Sequence, residues 1–142
     1  MRIEARCHCG NLSASFLTNE TLESLKPRAC GCSFCRMHDA KNVSDPAGSI
    51  AIEAEDPERL SRYRFGLRTA DFLVCASCGV YVVAVMEQGG RQWATINLRA
   101  SRHYDVPATA VSYDDEVEGS RIDRRMRRWT PVIRNGPPTA PT

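Results

Sequence analysis

Seven cysteines in three clusters frame what this 142-residue chain can become. They read C-x-C-G at Cys7, Cys9 and Gly10, C-x-C-x-x-C at Cys30, Cys32 and Cys35, and C-x-x-C-G at Cys75, Cys78 and Gly79. Disulfides need pairs and a closed tetrahedral zinc site needs four ligands, so the middle trio is incomplete by either rule. The opening MRIEARCHCG puts charges where a secretory leader needs an apolar run. The longest apolar stretch, VYVVAVM, falls far short of the roughly 20 residues that cross a bilayer. The expected setting is a reducing cytoplasm with no membrane partner, where such cysteines are metal ligands before they are disulfides.

The first and last clusters share a plan. In each, a glycine directly follows the last cysteine, which lets the backbone turn tightly at positive φ and leaves amide N–H groups facing sulfur. RIEAR and NLSASF alternate around the first cluster. DFLV and VYVVAVM, rich in β-branched and aromatic residues, surround the last. Both read as knuckles between strands. Brought together, they supply Cys7, Cys9, Cys75 and Cys78 to one structural zinc. The plainer alternative is a set of free or buried thiols.

The trio is left with three thiolates and no further cysteine. Catalytic zinc sites typically have three protein ligands and one open position, which is the preferred reading. His38, three residues beyond Cys35, is the alternative fourth ligand that would close a Cys₃His site. A third reading is a redox site, with Arg28 and Arg36 favouring thiolates. Against it, the thioredoxin-like C-x-x-C leads into a helix within a βαβ unit, whereas here the chain runs on into the turn-rich DAKNVSDPAGSI.

Elsewhere, TNETLESLKP predicts a short helix capped near Thr18 or Asn19, with Leu22 and Leu25 inward and Pro27 ending it. VYVVAVMEQGGRQWATINL predicts a hairpin turning at Gly89-Gly90. SRIDRRMRRW predicts a helix capped by Ser120, with Ile122, Met126 and Trp129 on one face. Its five arginines are either an anion site or a solvated face, with YDDEVE upstream available to pair with them. A net charge of +2 makes no case for nucleic acid. The expected architecture is mainly β, in short antiparallel sheets tied by zinc-binding knuckles with a short C-terminal helix. It forms a single domain over 1–134, with a flexible tail over 135–142.

The order CHCG, CGCSFC, CASCG resembles the glutathione-dependent formaldehyde-activating enzyme family, which includes the centromere protein V relatives, over roughly residues 3–100. The resemblance implies a β-tent fold with two zinc ions. Cys7, Cys9, Cys75 and Cys78 match the structural ligands, and Cys30, Cys32 and Cys35 match those of a second zinc whose open position takes the thiol of glutathione. The implied partners are a small-molecule thiol and an aldehyde. The implied reaction is reversible addition of the thiol to the aldehyde, formally a carbon–sulfur lyase activity, with Arg36 a candidate anion holder and Tyr63 or Tyr81 a candidate proton donor. The alternative is a non-catalytic module in which both metals are structural and the arginine-rich helix binds.

Overall fold

The computed structural model describes residues 1–133; the expected tail at 135–142 lies outside the described residues. The chain is mainly β. Its strands are β1 (Arg2–Arg6), β2 (Leu12–Leu17), β3 (Arg28–Cys30), β4 (Asn42–Val43), β5 (Ser49–Ala54), β6 (Leu60–Tyr63), β7 (Asp71–Cys75), β8 (Tyr81–Gln88), β9 (Arg91–Asn97), β10 (Thr109–Val111) and β11 (Thr130–Pro131). Three α-helices interrupt them, α1 (Leu22–Leu25), α2 (Ser33–Met37) and α3 (Glu118–Arg128). One sheet has the order β1-β2-β5. The larger has the order β10-β3-β4-β9-β8-β7-β6, with β11 added against β9. Between these strands pairing is antiparallel except for β3 and β10, which run parallel, and an isolated parallel bridge joins Ile50 to Val132.

Alternation explains the small sheet. Ile3 and Ala5 of β1 are buried while Arg2, Glu4 and Arg6 face water, and Ile50 and Ile52 of β5 follow the same rule. Ile3, Phe16, Ile50 and Ile52 then pack against Val43, Leu73, Val83 and Ile96 of the large sheet in one buried cluster. This main core lies between the sheets. A second cluster, containing Cys35, Phe72, Tyr81, Met86, Trp93 and Trp129, collects elsewhere on the large sheet.

Strand β8 contributes to both clusters through an irregularity. Val83 and Val85 join the main core and Ala84 and Met86 the second, as alternation requires. Below Val83 the phase flips. Leu73 pairs with Val83 but Val74 pairs with Tyr81, so Val82 is an extra residue in the strand. This β-bulge sends Val82 into the main core and swings Tyr81 into the second cluster, beside the cysteine trio.

The β8–β9 hairpin turns where expected, with Gln88 paired to Arg91 and Gly89 and Gly90 at φ 59° and 77°. Two helix starts differ from expectation. Thr21, not Thr18 or Asn19, caps α1, because Thr18 spends its hydroxyl on Asp45 Oδ2 at 2.6 Å. Helix α3 begins after Val117, placing Ser120 inside the first turn, where its Oγ accepts from Val117 N at 3.1 Å. Leu22 and Leu25 do pack against the main core.

Candidate metal centres and the adjoining pocket

The β1–β2 and β7–β8 hairpins each turn through a cysteine knuckle, and the two turns are built alike. Cys7 N donates to Leu12 O and Gly10 N to Cys7 O; Cys75 N donates to Val80 O and Gly79 N to Cys75 O. Gly10 and Gly79 take φ of 86° and 81°, where a side chain would be strained. The fold brings Cys7, Cys9, Cys75 and Cys78 together, with one sulfur from each lying within 4.8 Å of the others. Cys9 Sγ is 3.7 Å from Cys7 Sγ and 3.5 Å from Cys75 Sγ. Thiolates about 2.3 Å from one tetrahedral zinc stand roughly 3.8 Å apart, so the spacing suits that ion. This tetrad can hold a metal, and a metal there would join the small sheet to the large one.

The trio is built locally. Cys30 ends β3, and Gly31 N donates to Val111 O of β10 at 2.9 Å. Cys32 then caps α2, its Sγ accepting from Cys35 N at 3.4 Å, and Cys35 lies buried within the helix. The chain makes one helical turn within the trio itself, and the stretch over 39–50 read as turn-rich is not helical. The cap is a sulfur, outside the Ser, Thr, Asp and Asn set that announces helix starts. No βαβ unit follows, since β4 returns antiparallel to β3. The sulfurs of Cys30, Cys32 and Cys35 lie within 4.8 Å of one another and can hold a metal. His38 is not part of that group; its ring rests on Phe34, with centroids 4.5 Å apart. Behind Cys35, Asn42 Nδ2 donates to its Sγ at 3.6 Å, and Asn42 Oδ1 accepts from Tyr81 Oη at 3.1 Å. Burial pushes the Tyr81 hydroxyl well above its ordinary pKa, and its proton is committed to Asn42.

Without a metal the three thiols share hydrogen bonds. Those from Cys30 and Cys35, with the amides opening α2, bring Cys32 down to about 2. The same bonds raise Cys35, with burial adding to them, and raise Cys30. A metal must therefore displace protons from Cys30 and Cys35. Zinc loading of the trio is expected to release two protons and to weaken as pH falls, by up to about a hundredfold per pH unit. Zinc titrations with a proton-sensitive dye read both effects, and an affinity independent of pH would contradict this assignment.

The trio opens on a pocket of about 80 Å³. Tyr81, Asn42 and Phe72 line it from the sheet, and Arg121, Arg124 and Arg125 line it from α3. The expected apolar face of α3 is thus displaced by one residue. Ile122 and Trp129 do face inward, but Met126 is 41% exposed and Arg125 only 7%. Polar neighbours make this tolerable: Arg125 Nη1 donates to Thr69 Oγ1 at 2.7 Å, and its guanidinium stacks 4.7 Å from the Trp129 ring. Glu116, in the acidic stretch upstream, pairs with Arg121 Nε at 3.1 Å and Arg124 Nε at 2.7 Å. Only Arg127 and Arg128 of the five are exposed as a solvated face would require. Residues 121, 124 and 125 share one helical face, and that spacing was the available signal. Arg36 is exposed and lies outside the pocket, and Tyr63 is half exposed, stacked on Phe34 and Phe65. No helix among the described residues is long and apolar enough to cross a membrane.

No protein-family model matches this chain, and no curated protein matches it. The crystal structure of a Rhodobacter sphaeroides protein, a structural-genomics target, superposes with a TM-score of 0.58 at 23% identity. The match covers 76% of this chain and 99% of that one, and it is a likeness of fold.

Proposed function

We propose that the chain is a two-zinc protein that handles thiol adducts of a small aldehyde, in the manner of the formaldehyde-activating enzymes its cysteine clusters resemble. In this reading Cys7, Cys9, Cys75 and Cys78 hold a structural zinc, and Cys30, Cys32 and Cys35 hold a second with one position free. The reading rests chiefly on the placement of the trio, three sulfurs without His38 at the wall of a pocket. Zinc bound by three thiolates carries a formal charge of −1, so it is poorly suited to making hydroxide and supplies instead a soft site for a thiol held as thiolate.

The protein's own residues set up that site. The α2 amides hold Cys32 as an acceptor, and Asn42 and Tyr81 fix Cys35 from behind. Phe72 and Trp129 help keep water from the pocket, which brings thiol and aldehyde together as reactants at short range. The reaction forms a carbon–sulfur bond, and the proton leaving the thiol ends on the aldehyde oxygen, giving the S-hydroxymethyl thioether.

Cobalt substitution followed by titration with reduced glutathione tests the reading. A saturable change in the thiolate-to-cobalt absorption, present equally in the native protein and in His38→Ala, is the expected result. A response only in His38→Ala would mean that histidine closes the site and that both metals are structural.

A further inference from the structure

Among the described residues, Arg125 is a buried cation without a counter-ion. It is 7% exposed and has no ion-pair partner among the described residues. Nη1 is taken by Thr69, while Nε is buried and has no hydrogen-bond partner. Burial, then the neighbouring charges of Arg124 and Arg121, lower its pKa to about 10. Arg28, half-buried, lines the same pocket, its Nη2 donating to the Ser44 and Thr95 hydroxyls at 3.1 and 3.2 Å and, among the described residues, to no carboxylate. The nearby acid, Glu116, is committed to Arg121 and Arg124, and Asp114 at the pocket's edge is exposed.

Burying an unpaired cation is costly, and a protein retains one where something else supplies the anion. With Nη1 on Thr69 and Nε closed off from solvent, Nη2 is the guanidinium nitrogen left to meet a carboxylate oxygen from the pocket, through one charge-assisted hydrogen bond. We propose that Arg125 and Arg28 form a carboxylate subsite within the pocket of the cysteine trio, so that the molecule reaching Cys30, Cys32 and Cys35 is small and carries a carboxylate. The subsite stands on the arginine geometry alone; assigning its carboxylate to the incoming thiol rests on the function proposed above.

Two thiols of similar basicity separate the claims. The cobalt-substituted full chain is titrated at fixed ionic strength with 3-mercaptopropionate and with 2-mercaptoethanol. The carboxylated thiol is expected to half-saturate at a concentration on the order of tenfold lower. Arg125→Gln, which keeps a polar side chain and removes its charge, is expected to abolish that advantage and leave 2-mercaptoethanol unaffected. Equal affinities in the native protein would overturn the subsite, and so would an advantage that persists in Arg125→Gln. If neither thiol alters the cobalt spectrum, the thiol site fails, and thermal shifts of the zinc-loaded protein with propionate and with inorganic phosphate decide the subsite alone. A rise with propionate that is lost in Arg125→Gln upholds it; no rise, or a rise with phosphate only, overturns it. Should Arg125→Gln not fold, Arg28→Gln and the native comparison carry the same decision.

Discussion

Cys9→Ala is expected to cost the chain one of two metal equivalents and most of its thermal stability. Cys9 is exposed, and truncating an exposed side chain ordinarily changes stability by less than about 0.5 kcal/mol. Its sulfur, however, lies 3.5 Å from that of Cys75, a residue 66 positions away. A metal held there closes a long loop and fastens the β1–β2 hairpin to the β7–β8 hairpin. In the unfolded chain that constraint is absent, so the binding free energy becomes folding free energy. A loss above about 4 kcal/mol is the scale reached when a structural metal goes. At roughly 3 °C per kcal/mol for a chain of this length, the melting temperature would fall by more than about 12 °C, or cooperativity would vanish. Elemental metal analysis and a thermal melt measure both. A variant that melts within about 2 °C of the native protein with its metal content intact would reduce the tetrad to four thiols that happen to meet.

The tetrad was legible because it is announced twice, by cysteine spacing and by a glycine at a turn that needs positive φ. Gly10 and Gly79 take the conformation that the pattern requires, and alternation in RIEAR places Ile3 and Ala5 inward as read. The pocket was much less legible. Hydrophobic periodicity puts arginines outward by default, so Arg125 beneath Trp129 contradicts the rule that finds helix faces. The tertiary neighbour that receives its hydrogen bond, Thr69, comes from a loop whose approach no local pattern encodes. Tyr81 was named as a candidate proton donor, but its place beside the trio was hidden for another reason. Strict alternation from Val83 assigns it to the main core, and one extra residue at Val82 reverses the assignment. Asn42 reaches Cys35 through the pairing of β4 with β3 and β9, a register that spacing does not specify. Residues that ligate were thus visible as motifs, while residues that orient them or recognise a ligand depend on how distant strands meet.

The same logic predicts the opposite outcome at the trio. Cys30, Cys32 and Cys35 span six consecutive positions, so a metal there closes almost no loop and restrains little of the unfolded chain. Cys32 is half-buried at the start of a one-turn helix, and its loss removes a weak sulfur cap. Cys32→Ala is therefore expected to lose the second metal equivalent and the cobalt response to thiols completely, yet to melt within about 3 °C of the native protein, on the order of the 1 kcal/mol that a helix cap contributes. Two thiolates hold zinc far more weakly than three, so the second equivalent is expected to be lost to a competing chelator. A collapse in stability as large as that of Cys9→Ala would show instead that the trio is a second fastening point for the fold, through its buried Cys35 and the cluster around Phe72 and Trp129. Retained metal with a retained thiol response would remove Cys32 from the ligand set and place a different donor beside Cys30 and Cys35. The difference between the two variants thus separates the metal that holds the sheets together from the metal that the pocket presents to a ligand.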